Sequence, residues 1–128
     1  MIKAKKSLGQ NFLDDDRIIY RIVESVSPKN TDIIFEIGPG TGALTHLLVE
    51  RSGIVVAVEL DSRLIEKLRR DIRSENFTLI EADALTVDWC ALMDSSIKRW
   101  RETHPLNEEE PRLRVVANLP YYISTPII

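Results

Sequence analysis

The chain has 128 residues, of which 44% are hydrophobic and 29% are charged, which is typical of one globular domain and excludes a disordered or fibrous chain. The formal net charge of −3 excludes an overall cationic field that would attract nucleic acid. The single cysteine, Cys90, excludes an internal disulfide and paired-thiol metal sites, and we expect it to pack in the core.

The first elements in chain order are a basic arm, a helix and a strand. The arm precedes a helix that one of the Asp residues at 14–16 can cap. Residues 32–37 are apolar apart from two acids, Asp32 and Glu36, and predict a buried strand. The strand leads directly into a glycine-rich turn at 38–42, and a second helix follows that ends near Gly53.

The same alternation continues along the rest of the chain. Residues 54–60 predict a second strand, and Asp61 or Ser62 can cap the helix after it. Residues 77–81 predict a third strand, and residues 113–117 a fourth. Between these two, apolar residues at helical spacing predict a further helix, and they are Met93, Ile97 and Trp100. Strands that alternate with helices indicate βαβ units, so we expect a mostly parallel α/β sheet with helices on both faces.

Three of the five glycines, Gly38, Gly40 and Gly42, lie in the single turn between the first strand and its helix. Glycine allows positive φ and a close approach of backbone to a ligand, and this turn lies at the ligand-binding edge of an open α/β sheet. The spacing is G-x-G-x-G, whereas the dinucleotide fingerprint is G-x-G-x-x-G. A ligand site is therefore predicted here, but an NAD-dependent oxidoreductase is disfavoured.

Acidic side chains follow the next two strands at the same edge. Glu59 ends the second strand, 21 positions after Gly38, where a carboxylate can accept hydrogen bonds from both ribose hydroxyls. Asp83 ends the third strand and can accept a hydrogen bond from the exocyclic amine of adenine. Together with the glycine turn, these residues predict a site for adenosine.

The tetrapeptide Asn-Leu-Pro-Tyr, residues 118–121, follows the fourth strand directly. The amine of adenine is a poor nucleophile because its lone pair is delocalised into the ring. The Asn118 side-chain oxygen and the Leu119 carbonyl can each accept a hydrogen bond from that amine and localise the lone pair. The ring of Tyr121 can stack on an extruded base.

Five strings in this order resemble the KsgA family of small-subunit ribosomal RNA adenine N6,N6-dimethyltransferases. They are Gln-Asn-Phe-Leu (10–13), Glu-Ile-Gly-Pro-Gly-Thr-Gly (36–42), Val-Glu-Leu-Asp (58–61), Glu-Ala-Asp-Ala (81–84) and Asn-Leu-Pro-Tyr-Tyr-Ile-Ser-Thr-Pro (118–126). The resemblance implies a Rossmann-like class I methyltransferase fold and S-adenosyl-L-methionine as the cofactor. It also implies that the target is a pair of adjacent adenosines near the 3′ end of small-subunit ribosomal RNA, within the immature subunit.

The resemblance also carries site residues over to this chain. The implied cofactor contacts are Asn11, Leu13, Gly38, Gly40, Glu59, Asp83, Ala84 and Asn118. The implied catalytic residues, which hold the target adenine, are Asn118, Leu119 and Tyr121. Two features depart from the family pattern: the segment 88–111 is longer, and Tyr122 stands where Asn is common.

Family members are considerably longer than this chain, so we expect residues 1–128 to be the N-terminal, S-adenosylmethionine-binding part of the methyltransferase domain. Further strands and a helical RNA-binding domain would lie outside it. The chain would then stop after the fourth strand of the sheet, and that strand would be an apolar edge at Val115, Val116 and Ala117. Such an edge predicts self-association of this piece.

Two alternatives remain open at this point. One is the antibiotic-resistance relative that modifies adenine in large-subunit ribosomal RNA, and the other is a cofactor-binding module without catalysis. In either case we expect a cytoplasmic location, because the apolar stretches are too short to cross a bilayer and the N-terminus lacks a secretory signal. We expect no membrane partner, and no metal because the two histidines lack a ligand pattern.

Overall fold

The computed structural model describes residues 16–105 and 110–117. Four helices and four strands alternate along these residues. In chain order they are α1 (Asp16–Val26), β1 (Asp32–Ile37), α2 (Ala43–Arg51), β2 (Ile54–Glu59), α3 (Ser62–Asp71), β3 (Phe77–Glu81), α4 (Trp89–Thr103) and β4 (Arg112–Ala117). The expected strands are confirmed, although β2 ends one residue earlier than expected and β4 begins one residue earlier.

The four strands form one parallel sheet in the order β3-β2-β1-β4. The register of β1 with β4 runs from Asp32 opposite Arg112 to Ile37 opposite Ala117. Because every strand points the same way, the carboxyl ends of all four lie at one edge of the sheet. The expected α/β class and the parallel sheet are both confirmed, and the fourth strand lies beside the first.

Helices cover both faces of the sheet, and the alternation of side chains along β1 explains how. Ile34 faces a cluster formed with α1 and α2, in which Val23 and Leu48 are fully buried. Ile33 and Phe35 face the opposite cluster, where Trp100 of α4 is fully buried. Successive residues of a strand point to opposite faces, so one short apolar run supplies both cores.

The amino end of β1 is fixed by a buried ion pair. Asp32 is fully buried, and its carboxylate accepts hydrogen bonds from Nε and Nη2 of Arg112, both at 2.9 Å. The Lys29 backbone N–H donates to the same carboxylate at 2.9 Å. Burial raises the pKa of Asp32, but these hydrogen bonds and the charges of Arg112 and Arg114 outweigh it, so the pKa lies below its ordinary value.

Strand β4 lies at the edge of the described sheet, as expected. Val116 packs against the core on the α1 and α2 face, whereas Val115 on the opposite face is 59% exposed. Leu113, on the same face as Val115, is 39% exposed. On the face of the sheet that carries α4, the apolar side chains of β4 are therefore left partly exposed.

The expectation that Cys90 packs in the core is wrong, because this cysteine is exposed. Successive helix residues are about 100° apart around the axis. Trp89 turns toward Phe35 and the core, so Cys90, the next residue, turns away from it.

Candidate functional site

The glycine turn between β1 and α2 has positive φ at all three glycines, with values of 69° at Gly38, 60° at Gly40 and 88° at Gly42. Its first N–H, that of Gly38, donates to the Val58 carbonyl of β2 at 3.0 Å. A Cβ placed on Gly40 would meet no heavy atom within 4 Å, whereas one on Gly42 would come within 2.7 Å of the Leu68 side chain. Gly42 is thus required for packing, while Gly40 leaves open space above the turn.

Glu59 lies at the carboxyl end of β2, beside this turn. Its Oε2 accepts hydrogen bonds from the N–H groups of Leu60 at 2.8 Å and Asp61 at 3.0 Å. Its Oε1 is 3.3 Å from the N–H of Gly40, a long hydrogen bond. The carboxylate therefore contacts the glycine turn directly, and every hydrogen-bond donor that contacts it among the described residues is a backbone N–H.

The turn after β3 carries the second predicted acid. Asp83 Oδ1 accepts a hydrogen bond from the Leu85 N–H at 2.9 Å, and the Asp83 carbonyl accepts from both the N–H and the hydroxyl of Thr86, each at 2.9 Å. The carbonyl of Ala84 accepts from the indole Nε1 of Trp89 at 2.9 Å. Four hydrogen bonds thus hold the turn in one shape.

Backbone hydrogen bonds join the three turns into one surface. Gly38 is bonded to Val58, the residue before Glu59, and the Ala82 N–H donates to the Glu59 carbonyl at 3.0 Å. Ala82 is the residue before Asp83. The structure therefore brings together five of the predicted site residues at the carboxyl edge of the sheet, and they are Gly38, Gly40, Glu59, Asp83 and Ala84.

The other predicted site residues lie outside the described part of the chain. They are Asn11, Leu13, Asn118, Leu119 and Tyr121. Ala117, the last residue of β4, is in register with Ile37, the residue before Gly38. The strand that precedes the Asn-Leu-Pro-Tyr segment thus ends level with the strand that precedes the glycine turn, and the roles of these residues stay predictions.

Two apolar side chains at this edge were missed by the sequence analysis. Leu60 directly follows Glu59 and is 64% exposed, and Leu85 follows Ala84 and is 85% exposed. A ligand or partner that covers large apolar side chains of this exposure gains free energy from their burial. One feature of the sequence could have indicated them: each is a leucine within a polar turn, close to a predicted ligand-binding acid.

A buried carboxylate supports the glycine turn from below. Glu36, the penultimate residue of β1, is fully buried, and its Oε1 accepts a hydrogen bond from the Thr45 hydroxyl at 2.5 Å. Thr45 lies in the first turn of α2, and Gly42, the N-cap residue before this helix, has no side chain to cap it. A carboxylate near a helix N-terminus is favourable, so Glu36 fixes where α2 begins relative to β1.

The helix after Glu59 is capped by the acid that the sequence predicted. Asp61 accepts a hydrogen bond from the Arg63 backbone N–H at 2.9 Å. That hydrogen bond, together with the Arg63 side chain, holds the pKa of Asp61 below its ordinary value. The start of α3 is therefore fixed immediately beside the candidate site.

Within residues 16–105 and 110–117, no group of three or more His, Cys, Asp or Glu side chains is arranged to hold a metal ion. In the same part of the chain, no helix combines the length and the apolar character that crossing a bilayer requires.

A parallel sheet in this strand order, with a glycine turn after the first strand and acids after the next two, defines an α/β fold of the class I methyltransferase kind. Solved methyltransferases share it. A dimethyladenosine transferase from Plasmodium falciparum superposes with a TM-score of 0.63 and 26% identity over 88% of this chain and 35% of that one. The 23S rRNA methyltransferase ErmE gives a TM-score of 0.51 at 24% identity, over 80% of this chain and 46% of that one, and supports the fold alone.

The sequence comparisons identify the family. The family model described as ribosomal RNA adenine dimethylase matches residues 1–128, and the chain belongs to this family. It is 43% identical to the ribosomal RNA small subunit methyltransferase A of Clostridium acetobutylicum, over 98% of this chain and 41% of the relative. It is 38% identical to the protein of the same name from Mesoplasma florum, over 99% of this chain and 44% of the relative. The chain thus spans about two fifths of the length of these curated relatives.

Proposed function

We propose that this chain is the cofactor-binding part of an enzyme that transfers methyl groups from S-adenosylmethionine to the N6 amines of two adjacent adenosines near the 3′ end of small-subunit ribosomal RNA. The observation that carries the proposal is the joining of the glycine turn, Glu59 and the Asp83 turn by hydrogen bonds at one sheet edge. Membership of the ribosomal RNA adenine dimethylase family supports the same chemistry. The names of the curated relatives favour the small subunit over the large one.

The ribose of the cofactor fits the carboxylate of Glu59. A carboxylate offers about four lone-pair positions, and three backbone N–H groups use three of them here. The 3.3 Å bond to Gly40 is the weakest of the three, so it is the one that a ribose hydroxyl would replace. Two hydroxyls then share the carboxylate while Leu60 and Asp61 keep its orientation.

The adenine ring fits the turn after β3. The free oxygen of Asp83 would accept from the adenine amine, since its Oδ1 already accepts from Leu85. The carbonyl of Ala84 is engaged by Trp89, and the Ala84 N–H would donate to a ring nitrogen. The exposed side chains of Leu60 and Leu85 would cover the apolar faces of the ring and lose their contact with water. The methionine part would then lie toward Gly38 and the open space above Gly40.

The target adenine would be held by Asn118, Leu119 and Tyr121. When bound, S-adenosylmethionine supplies an electrophilic methyl group on a sulfonium. The Asn118 side-chain oxygen and the Leu119 carbonyl would accept hydrogen bonds from the adenine amine and direct its lone pair in line with that methyl group. The amine loses its proton to water after transfer, so no basic side chain is needed. Tyr121 would hold the base by stacking.

The partner that fits this function is the 3′ region of small-subunit ribosomal RNA within the immature subunit, in the cytoplasm. The remaining strands of the sheet and an RNA-binding helical domain would belong to parts of the protein beyond residue 128. Two findings support this division: the chain spans two fifths of its relatives, and β4 is an edge of the described sheet.

The same edge underlies a second part of the proposal, the self-association of residues 1–128. No strand among the described residues pairs with the outer side of β4, which lies next to the exposed side chains of Leu113 and Val115. An apolar edge of this kind is a template for pairing with other chains, and the two arginines of β4, Arg112 and Arg114, are both directed to Asp32. Sedimentation velocity should show dimers or larger species at high concentration for the natural chain and monomers for Val115→Lys. A natural chain that stays monomeric would overturn this part.

Calorimetric titration with S-adenosylmethionine tests the cofactor site. We expect Glu59→Gln to bind at least about tenfold more weakly, because one charged acceptor of the ribose is lost, a difference of about 1.4 kcal/mol. Glu66→Gln, an exposed acid on α3, is the matched control and should bind as the natural chain does. Equal binding by Glu59→Gln, or no binding by the natural chain, would contradict the proposal.

The chemical step is tested with the full-length protein and immature small ribosomal subunits as substrate. Asn118→Ala should abolish methylation while it weakens cofactor binding much less, because the amide acts mainly on the target amine. Binding of the cofactor by the natural full-length protein without methylation of these subunits would favour a binding module instead.

A further inference from the structure

Helix α4 supplies a side-chain donor to the turn that we assign to adenine. Trp89, the first residue of α4, donates its indole N–H to the carbonyl of Ala84 at 2.9 Å. Ala84 lies between Asp83 and Leu85, the two residues whose side chains would contact the ring. No role was predicted for Trp89 from the sequence, because none of the five family strings covers residues 85–117.

The indole is held by a ring contact, and the start of the helix that carries it is held by two hydrogen bonds of Asp88. Its ring packs edge-on against Phe35, with ring centroids 6.2 Å apart and an interplanar angle of 84°. Phe35 is fully buried in the centre of β1. Asp88 caps the helix by accepting from the Ala91 N–H at 3.0 Å, and its carbonyl accepts from the Leu92 N–H at 3.0 Å. The donor therefore has one position relative to the sheet.

The remaining hydrogen bonds of the turn are local. Asp83 bonds to Leu85 and Thr86, which lie two and three residues further along the chain, so these bonds fix the shape of the turn and not its place. Backbone pairing of Ala82 with Glu59 fixes the turn at its start. The Trp89–Ala84 hydrogen bond is the contact that fixes its far side against α4.

We propose that Trp89 is a positioning residue for the adenine part of the cofactor, acting through its hydrogen bond to the Ala84 carbonyl. The inference rests on the proposed adenosine site and deepens it. The bond keeps the Ala84 carbonyl turned toward α4 and so fixes the peptide unit between Ala84 and Leu85, whose N–H donates to the Asp83 carboxylate. It also keeps the carboxylate of Asp83 and the side chain of Leu85 at a constant distance from Glu59.

The second tryptophan of α4 provides a matched control. Trp100 is fully buried, and its indole nitrogen has no hydrogen-bond partner among the described residues. Its ring stacks on His104, with centroids 4.5 Å apart. Trp89→Phe removes a bonded donor and keeps an aromatic ring against Phe35, whereas Trp100→Phe removes an unbonded donor and shrinks the core.

The test compares both variants by calorimetric titration with S-adenosylhomocysteine, by titration with adenosine, and by urea unfolding. Trp89→Phe should weaken the binding of both ligands by about three- to tenfold, the value of one hydrogen bond. Hydrogen exchange of the backbone at 83–86 should become faster in this variant. Trp100→Phe should unfold at lower urea but bind both ligands with unchanged affinity.

The outcomes separate the inference from the function on which it rests. If the natural chain binds neither ligand, the adenosine site itself is wrong. If the natural chain binds and Trp89→Phe binds equally well, the site stands and the positioning role of Trp89 is overturned. If both variants lose affinity in proportion to their loss of stability, the role of Trp89 is only structural, and the inference is also overturned.

Discussion

The two ends of the sheet use the same chemical group in opposite ways. At the amino end, the carboxylate of Asp32 is fully buried and paired with the guanidinium of Arg112. At the carboxyl end, the carboxylate of Glu59 is partly exposed and receives only backbone N–H groups among the described residues. An acid whose charge is paired with a guanidinium stabilises the fold. An acid that accepts hydrogen bonds only from backbone N–H groups leaves part of its surface for a ligand. The contrast predicts that stability and binding can be altered separately.

The largest effect is expected at the amino end. Asp32→Asn removes the charge that faces Arg112 and places an amide N–H near the donors of Lys29 and Arg112. Loss of one partner of a buried pair is strongly destabilising, and because Arg112 is half exposed we expect about 3 kcal/mol from urea unfolding. Binding of S-adenosylmethionine to the folded fraction should be unchanged. Asp94→Asn, on the exposed side of α4, serves as the control, and equal stability of the two variants would contradict the contrast.

Within the five residues of the glycine turn, too, we expect stability and ligand binding to be altered separately. Gly42→Ala combines a positive φ of 88° with a Cβ that lies 2.7 Å from Leu68, so it should destabilise the protein by about 2 kcal/mol in urea unfolding. Gly40→Ala has backbone strain but no clash, and should cost about 1 kcal/mol. Its methyl group enters the space assigned to the cofactor, so Gly40→Ala should weaken binding more than Gly42→Ala does. The reverse order in calorimetric titration would refute the placement of the ligand.

The smallest expected effect is the pH dependence of the amino end. The pKa of Asp32 is lower in the folded protein than in the unfolded chain, so the stabilisation that it provides is complete above the unfolded pKa of about 3.9 and is lost as the pH falls through the lower folded value. The stability difference between the natural protein and Asp32→Asn should therefore be constant from pH 7 to 5 and should shrink between pH 4 and 2. Urea unfolding at each pH measures it. A stability difference that grew as the pH fell would show that folding does not lower the pKa of Asp32.

Features that depend on neighbouring residues were predictable from the sequence, and the long-range contacts were not. The strands follow from short apolar runs. The grouping of Gly38, Glu59 and Asp83, which lie at or just after the ends of these runs, follows because the carboxyl ends of parallel strands meet at one edge. The ion pair of Asp32 with Arg112 joins residues 80 positions apart, and no local pattern indicates it.

The wrong prediction for Cys90 and the missing prediction for Trp89, both residues of α4, have the same cause. The sequence indicates that this helix has an apolar face, but the side on which Cys90 lies depends on the angle at which the helix meets the sheet. The hydrogen bond from Trp89 to Ala84 depends on the same angle. The spacing of apolar residues does not indicate this angle. Cys90 was therefore predicted to lie in the core, and no function was predicted for Trp89.

The long hydrogen bond between Glu59 and the N–H of Gly40 has a consequence for the energetics of ligand capture. In the proposed site this amide occupies the position that a sugar hydroxyl would take, so the bond holds Glu59 and the glycine turn at a fixed distance from each other before a ligand arrives. Capture would then require the exchange of one weak bond for a stronger one, without rearrangement of the chain. Such preorganisation avoids the ordering entropy that a loop closing over its ligand would lose.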